Sequence, residues 1–202
     1  MIPADLLARA RELAAGSRRI LGLTGAPGAG KSTLAAELAP RVPSATVLPM
    51  DGFHLPQARL VELGRRDRMG APDTFDVDGF VRTLEEVRDA QGDVRAPGFD
   101  RRIEEPVPDA LLFPATTRTV VVEGNYLLHD EGGWERVAPL LDLTFFVSLA
   151  HDIRLARLID RHVRFGKTEA AARAWSLGPD ETNARLIEGT RERADHVVDL
   201  TE

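Results

Sequence analysis

The chain has 202 residues, 43% of them hydrophobic, and a net charge of −6; this suits one domain with a sizeable core and supplies no overall basic field for nucleic acid. It contains no cysteine, which excludes a disulfide framework and a thiolate metal site. No apolar run approaches membrane-spanning length, and Met1-Ile2-Pro3-Ala4-Asp5-Leu6-Leu7 carries an acid where a secretory leader carries a basic start, so the expectation is a cytoplasmic protein without membrane or nucleic-acid partners, monomeric or homodimeric.

Pro3 to Ala15 reads as a helix, with Leu6, Leu7, Ala10, Leu13 and Ala14 on one stripe and Gly16 suited to its end. Arg19 to Thr24 reads as a buried strand. It enters Gly25-Ala26-Pro27-Gly28-Ala29-Gly30-Lys31-Ser32, which fits the phosphate-binding pattern G-x-x-x-x-G-K-[ST] at every required position. Glycines permit a tight nest of backbone N–H groups, and the following helix adds those of its first turn. Gly25 to Thr33 are therefore the candidate nucleotide-binding residues. Lys31 reaches the β- and γ-phosphates, and the Ser32 hydroxyl holds Mg²⁺. Thr33 to Ala39 reads as the helix leaving the loop, stopped by Pro40.

Ala45 to Met50 is a second short strand, ending in Asp51-Gly52-Phe53-His54. Asp51 has the type and place for a base that orients an acceptor hydroxyl, and His54 is a candidate substrate contact. Leu55 to Thr74 is mixed. Asp76 or Asp78 caps a helix whose Phe80, Val81, Leu84 and Val87 share a face. Residues 92–114 hold several prolines and charges with little periodicity, which suits an inserted loop or small hairpin over the site. Within it Phe99, Asp100 and Arg101 offer an aromatic ring and both charge signs to an acceptor.

Thr119-Val120-Val121-Val122 reads as a strand buried on both faces. Glu123 follows at once, where an acid can hold Mg²⁺ directly or through water. Leu143 to Leu149 is another buried strand. The helix from about Asp152 to Phe165 carries Arg154, Arg157, Arg161 and Arg164 on one face. The distal pair, Arg161 and Arg164, suits a lid closing on transferring phosphates, because guanidinium groups stay charged and fork onto phosphate oxygens; Arg154 and Arg157 read as structural. Lys167 to Trp175 and Glu181 to Arg191 are helical stretches, and His196 to Leu200 is a last short strand. Apolar strands alternating with helices specify an α/β fold with a parallel sheet covered on both faces. The phosphate loop, Asp51 and Glu123 stand at three strand ends, which such sheets place on one edge.

These motifs, in this order, resemble the uridine kinase, phosphoribulokinase and bacterial pantothenate kinase superfamily. Met50-Asp51-Gly52-Phe53-His54 is similar to the strand-two motif whose Asp is the catalytic base. Arg68 to Asp76 resembles a pantothenate kinase segment, and Pro97-Gly98-Phe99-Asp100 resembles the substrate-side P-x-[YF]-D motif. Val122-Glu123-Gly124-Asn125-Tyr126-Leu127-Leu128 resembles the V-E-G strand end, which adds Tyr126 to the substrate contacts. Arg161-His162-Val163-Arg164 is similar to the lid R-D-x-x-R, with His162 in place of the usual acid. Arg193 to Val198 resembles the C-terminal A-D-x-[VI]-[VI] segment near the adenine. The closest flavour is a compact bacterial branch of nucleoside- or nucleotide-kinase-like and fructose-transport-associated kinases.

The resemblance implies a P-loop NTPase-type three-layer sandwich: a single domain over 1–202 with a substrate-side insertion at about 92–114 and a lid at about 160–178. It implies an ATP- and Mg²⁺-dependent kinase that phosphorylates a hydroxyl of a sugar, nucleoside or pantothenate-like metabolite. Two rival classes are a non-transferring P-loop regulatory ATPase, which needs no acceptor base, and a nucleic-acid end kinase, which the acidic charge disfavours.

Overall fold

Strands that are apolar at every position must be covered on both faces, and the helices that follow them supply the cover. A computed structural model describes residues 2–201. In chain order it contains α1 (Ala4–Leu13), β1 (Arg19–Thr24), α2 (Lys31–Leu38), β2 (Ala45–Pro49), α3 (Gln57–Glu62) and α4 (Val77–Asp89). There follow β3 (Val94–Asp100), β4 (Glu105–Phe113), β5 (Thr119–Glu123), β6 (Leu143–Ser148), α5 (His151–Arg164), α6 (Glu169–Leu177), α7 (Pro179–Glu188) and β7 (His196–Asp199).

Five strands form one parallel sheet in the order β2-β5-β1-β6-β7. Successive residues of β5 point to opposite faces. Val120 and Val122 join Phe80, Leu84 and Val87 of α4 with Trp134 and Tyr126 in one core. Val121 joins Leu6 and Ala10 of α1 and Leu34, Ala35 and Leu38 of α2 in the other. These two layers around the sheet make the three-layer α/β sandwich. Asp76, rather than Asp78, caps α4: its Oδ1 accepts a hydrogen bond from Gly79 N at 2.9 Å.

The segment with little periodicity is an antiparallel hairpin, β3 with β4, separate from the main sheet. A two-stranded ribbon has only edge strands, so Pro97, Pro106 and Pro108 are tolerated where a central strand would reject them. Val94, Ala96 and Phe113 anchor it in the core. The mixed stretch after His54 contains α3 and two 3₁₀ turns, Arg66–Arg68 and Pro72–Thr74.

Candidate active site

Register sets the site. Leu23 of β1 and Pro49 of β2 both lie opposite Glu123 at the end of β5. The turns leaving these strands therefore emerge side by side at the carboxyl edge of the sheet, where ligands of such sheets bind. A cavity of about 1170 Å³ opens there between the glycine-rich turn, the hairpin tip and the end of α5.

The glycine-rich turn packs against β6 at Gly25 without room for a side chain. Gly25 has φ +148°, and a Cβ there would lie 2.3 Å from the Val147 carbonyl oxygen. Ala26 and Ala29 are buried beneath the turn, while Pro27, Gly28, Gly30, Lys31, Ser32 and Thr33 line the cavity. Lys31 is buried and its Nζ donates to Gly25 O at 2.8 Å and Ala26 O at 3.1 Å. Burial lowers its pKa to about 8, although Glu123 and Asp51 oppose the shift.

Ser32 Oγ donates to Glu123 Oε1 at 2.9 Å. Burial, reinforced by the Asp51 carboxylate, pushes the Glu123 carboxyl up from its ordinary value. Two oxygen donors side by side suit a hard divalent cation that takes its remaining ligands from phosphate oxygens and water. Among the described residues no group of three or more His, Cys, Asp or Glu stands together as a metal cage.

Asp51 lies in a 3₁₀ turn, Met50–Phe53, directly after β2. Burial alone would raise its carboxyl; Arg101, His54, Arg161 and Lys31 outweigh that and hold it below the usual carboxylate range. Arg101 Nη2 donates to Asp51 Oδ2 at 2.5 Å. His54 Nδ1 lies 2.9 Å from Asp51 O, and the ring is flanked by Phe75 and Phe99 at centroid distances of 4.1 and 4.8 Å. Burial lowers the His54 pKa against the pull of Asp51.

The four arginines of α5 have separate fates. Arg161 lines the cavity, and its guanidinium has no hydrogen-bond or ion-pair partner among the described residues. Arg164 is exposed at the rim and donates to Asp160 at 2.5 Å. Arg157 is exposed beside Gly30. Arg154 is buried: it donates to Pro27 O at 3.2 Å and to the Glu181 carboxylate, tying the glycine-rich turn to α7.

Two expected substrate contacts lie elsewhere. Tyr126 is fully buried against Phe75 and Trp134, and its hydroxyl donates to Gly70 O at 2.5 Å. It supports the wall from behind and does not reach the cavity. Asp100 is turned into the hairpin tip, where it accepts from Arg102 N at 2.8 Å and from the Arg102 guanidinium. Asp51, His54, Phe99 and Arg101, by contrast, do share the cavity.

The structure also shows contacts that local motifs leave unmarked. His162 Nε2 lies 2.7 Å from Asp180 Oδ2. Glu104, at the hairpin tip, accepts from Arg66 at 2.8 Å and faces Lys167 Nζ at 3.9 Å. Each of these pairs joins segments far apart in the chain, so spacing along the sequence carries no signal of them.

A family profile described as the phosphoribulokinase / uridine kinase family matches residues 20–200. The chain is 36% identical to the protein YggC of Escherichia coli (strain K12) over 191 residues, 92% of this chain and 79% of that protein. It is 38% identical to a candidate uridine kinase, C227.14, of Schizosaccharomyces pombe (strain 972 / ATCC 24843) over 203 residues, 91% of this chain and 84% of the relative. Among solved structures, a candidate fructose transport system kinase from Silicibacter sp. TM1040 matches with a TM-score of 0.88 at 34% identity, covering 98% of this chain and 100% of that one.

Proposed function

The chain belongs to the phosphoribulokinase / uridine kinase family, and from that premise we propose that it is an ATP- and Mg²⁺-dependent kinase acting on a hydroxyl of a small metabolite. The observation that carries this reading is Asp51, which opens into the same cavity as Lys31 and the Ser32–Glu123 pair. A non-transferring nucleotide-binding switch needs no acceptor base, whereas phosphoryl transfer to an alcohol does.

On this reading the turn from Gly25 to Thr33 cradles the phosphates of ATP, the phosphoryl donor, through its N–H groups, and Lys31 exchanges its two carbonyl partners for phosphate oxygens. Ser32 and Glu123 would hold Mg²⁺, which neutralises charge on the phosphates when bound. Asp51 accepts the proton of the acceptor hydroxyl as its oxygen bonds to the γ-phosphorus. The bond from that phosphorus to the β–γ bridging oxygen breaks, ADP leaves with the electron pair, and Asp51 returns the proton to solvent. Arg161 stabilises charge on the group in transit, with Arg164 joining it when the segment at about 160–178 closes as a lid. Residues 1–202 act as one kinase domain in which the hairpin segment, 92–114, forms the acceptor wall with His54, Phe99 and Arg101.

The test is an ADP-release screen over sugars, nucleosides and hydroxy acids, with the phosphorylated product identified by ³¹P NMR. Asp51→Asn is expected to retain nucleotide binding and to lose transfer by about 10²- to 10⁴-fold. Full transfer by that variant removes Asp51 from the base role. Lys31→Ala is expected to weaken nucleotide binding or turnover, and an unaffected variant rejects the phosphate-loop assignment.

A further inference from the structure

Arg161 lacks a partner in a place that offers one. The Asp180 carboxylate lines the same cavity and is close enough to act on the guanidinium. Burial lowers the Arg161 pKa, Arg101 adds to the shift, and Asp180 is the first of the carboxylates that oppose it. Opposite charges in a partly dry site attract strongly. Even so, among the described residues no hydrogen bond or ion pair joins the two. The carboxylate is held instead by His162, whose Nε2 lies 2.7 Å from Asp180 Oδ2.

The His162–Asp180 pair is built into the fold. Asp180 stands in the first turn of α7, where the positive end of a helix favours an acid. His162 stands in the last turn of α5, directly after Arg161. The two side chains are 15% and 11% exposed, so little water competes for the bond. Neighbouring donors are committed elsewhere. The Tyr126 hydroxyl, which feels the Asp180 charge, and the Asn183 amide, three residues further along α7, both donate to Gly70 O. His162 is therefore the one side chain among the described residues that occupies the carboxylate. Without it, the free cation beside Asp180 is Arg161. A guanidinium forked onto a carboxylate has its donors taken before a phosphoryl group arrives.

We propose that His162 is a positioning residue: by holding the Asp180 carboxylate it keeps the Arg161 guanidinium free for the phosphoryl group in transit. The inference rests on the kinase reading above and adds a residue that acts through another. An acid at position 162, as in the lid motif this segment resembles, would repel Asp180 rather than hold it, so the two positions form a matched pair in this chain. The role has a distinctive sign. Loss of His162 should harm transfer, and removing the Asp180 charge as well should repair the harm. A mere strut between α5 and α7 could not be repaired by removing its other half.

Steady-state kinetics with ATP, Mg²⁺ and the best acceptor of a sugar, nucleoside and hydroxy-acid panel compares wild type, His162→Ala, Asp180→Asn and the double variant, with urea unfolding of each. His162→Ala is expected to lower kcat by about ten- to hundredfold while KM for ATP stays within about threefold, because Arg161 acts on charge that develops in the transition state. His162→Gln, whose amide can still donate to Asp180, is expected to keep most of kcat. Asp180→Asn alone, and Asp180→Asn added to His162→Ala, are both expected to lie within about threefold of wild-type kcat. His162→Leu fills the volume of the ring without its donor and takes the place of His162→Ala if the smaller side chain unfolds the protein. The proposal is overturned if His162→Ala keeps wild-type kcat, or if the double variant is no faster than His162→Ala. A calorimetric readout needs no transfer. Affinity for a non-hydrolysable ATP analogue relative to ADP reports the grip on the γ-phosphate, and it should fall about tenfold in His162→Ala and recover in the double variant. That pattern without phosphorylated product from any acceptor removes the kinase reading and leaves the role of His162. Transfer by His162→Ala with normal kcat and a normal affinity ratio does the reverse.

Discussion

Lys31 is the residue whose burial has the clearest pH signature. Below about pH 8 it is charged in both folded and unfolded chains, and the folded state bears the cost of burying that charge. Between about 8 and 10.5 the unfolded chain holds more of the proton, so the stability of the free protein rises with pH across that window, by up to about 3 kcal/mol. Urea unfolding of wild type and Lys31→Met from pH 7.5 to 10.5 should show wild type gaining on the variant by an amount of that order. A bound triphosphate pairs with the protonated amine, so nucleotide affinity is expected to fall above about pH 8, by up to tenfold per pH unit. Lys31 and Ser32 are legible in the sequence because a phosphate nest needs fixed spacing within one turn. Asp51 and Glu123 are legible because strand ends converge. The burial of Tyr126 is not: Glu123-Gly124-Asn125-Tyr126 shows that the chain leaves a strand, but not which way the next ring turns. The bond from Arg101 to Asp51 crosses fifty residues, and only the fold brings them together.

α7 is the element that ties the site together. Asp180 meets His162 of α5 at 2.7 Å, Glu181 holds Arg154 and through it Pro27, and Asn183 Nδ2 donates to Gly70 O at 3.1 Å. One helical turn thus reaches the proposed lid, the phosphate loop and the segment before α4. Its sequence shows a helix but none of these contacts, because every partner lies outside α7. Glu181→Gln is expected to leave the Arg154 guanidinium buried without its counter-charge, at a cost of about 3 kcal/mol, measurable by chemical denaturation. The accompanying change should be a higher KM for ATP at a nearly constant kcat, since the loop that Arg154 steadies touches the donor and not the acceptor. The hairpin is only half legible. Its prolines and broken periodicity exclude a central strand, yet the pairing that brings Val94 opposite Phe113 depends on a turn without a strong signal.

At the scale of the molecule, the parallel sheet was the most legible feature, since five apolar runs between helices leave few other arrangements. Its carboxyl edge gathers every group assigned to the reaction, and both cores lie behind that edge. Nucleotide binding should therefore stabilise the whole cooperative unit. At a nucleotide concentration about a hundred times its Kd, the gain is about 2.7 kcal/mol, or a rise in Tm of about 5 to 10 °C for a chain of this size; differential scanning fluorimetry with Mg²⁺ measures it, and Lys31→Ala should flatten the response. The hairpin stands apart from the main sheet and is seated at Gly52, where an added Cβ would lie 2.3 Å from the Pro97 carbonyl oxygen. That seat works as a mechanical interchange. A ribbon from a relative grafted in place of β3 and β4 is expected to inherit the same stance over Asp51 only if Gly52, the carbonyl of residue 97 and the core anchors at 94, 96 and 113 are kept. A methyl group at residue 52 would instead jack the ribbon off its bearing and carry Arg101 away with it.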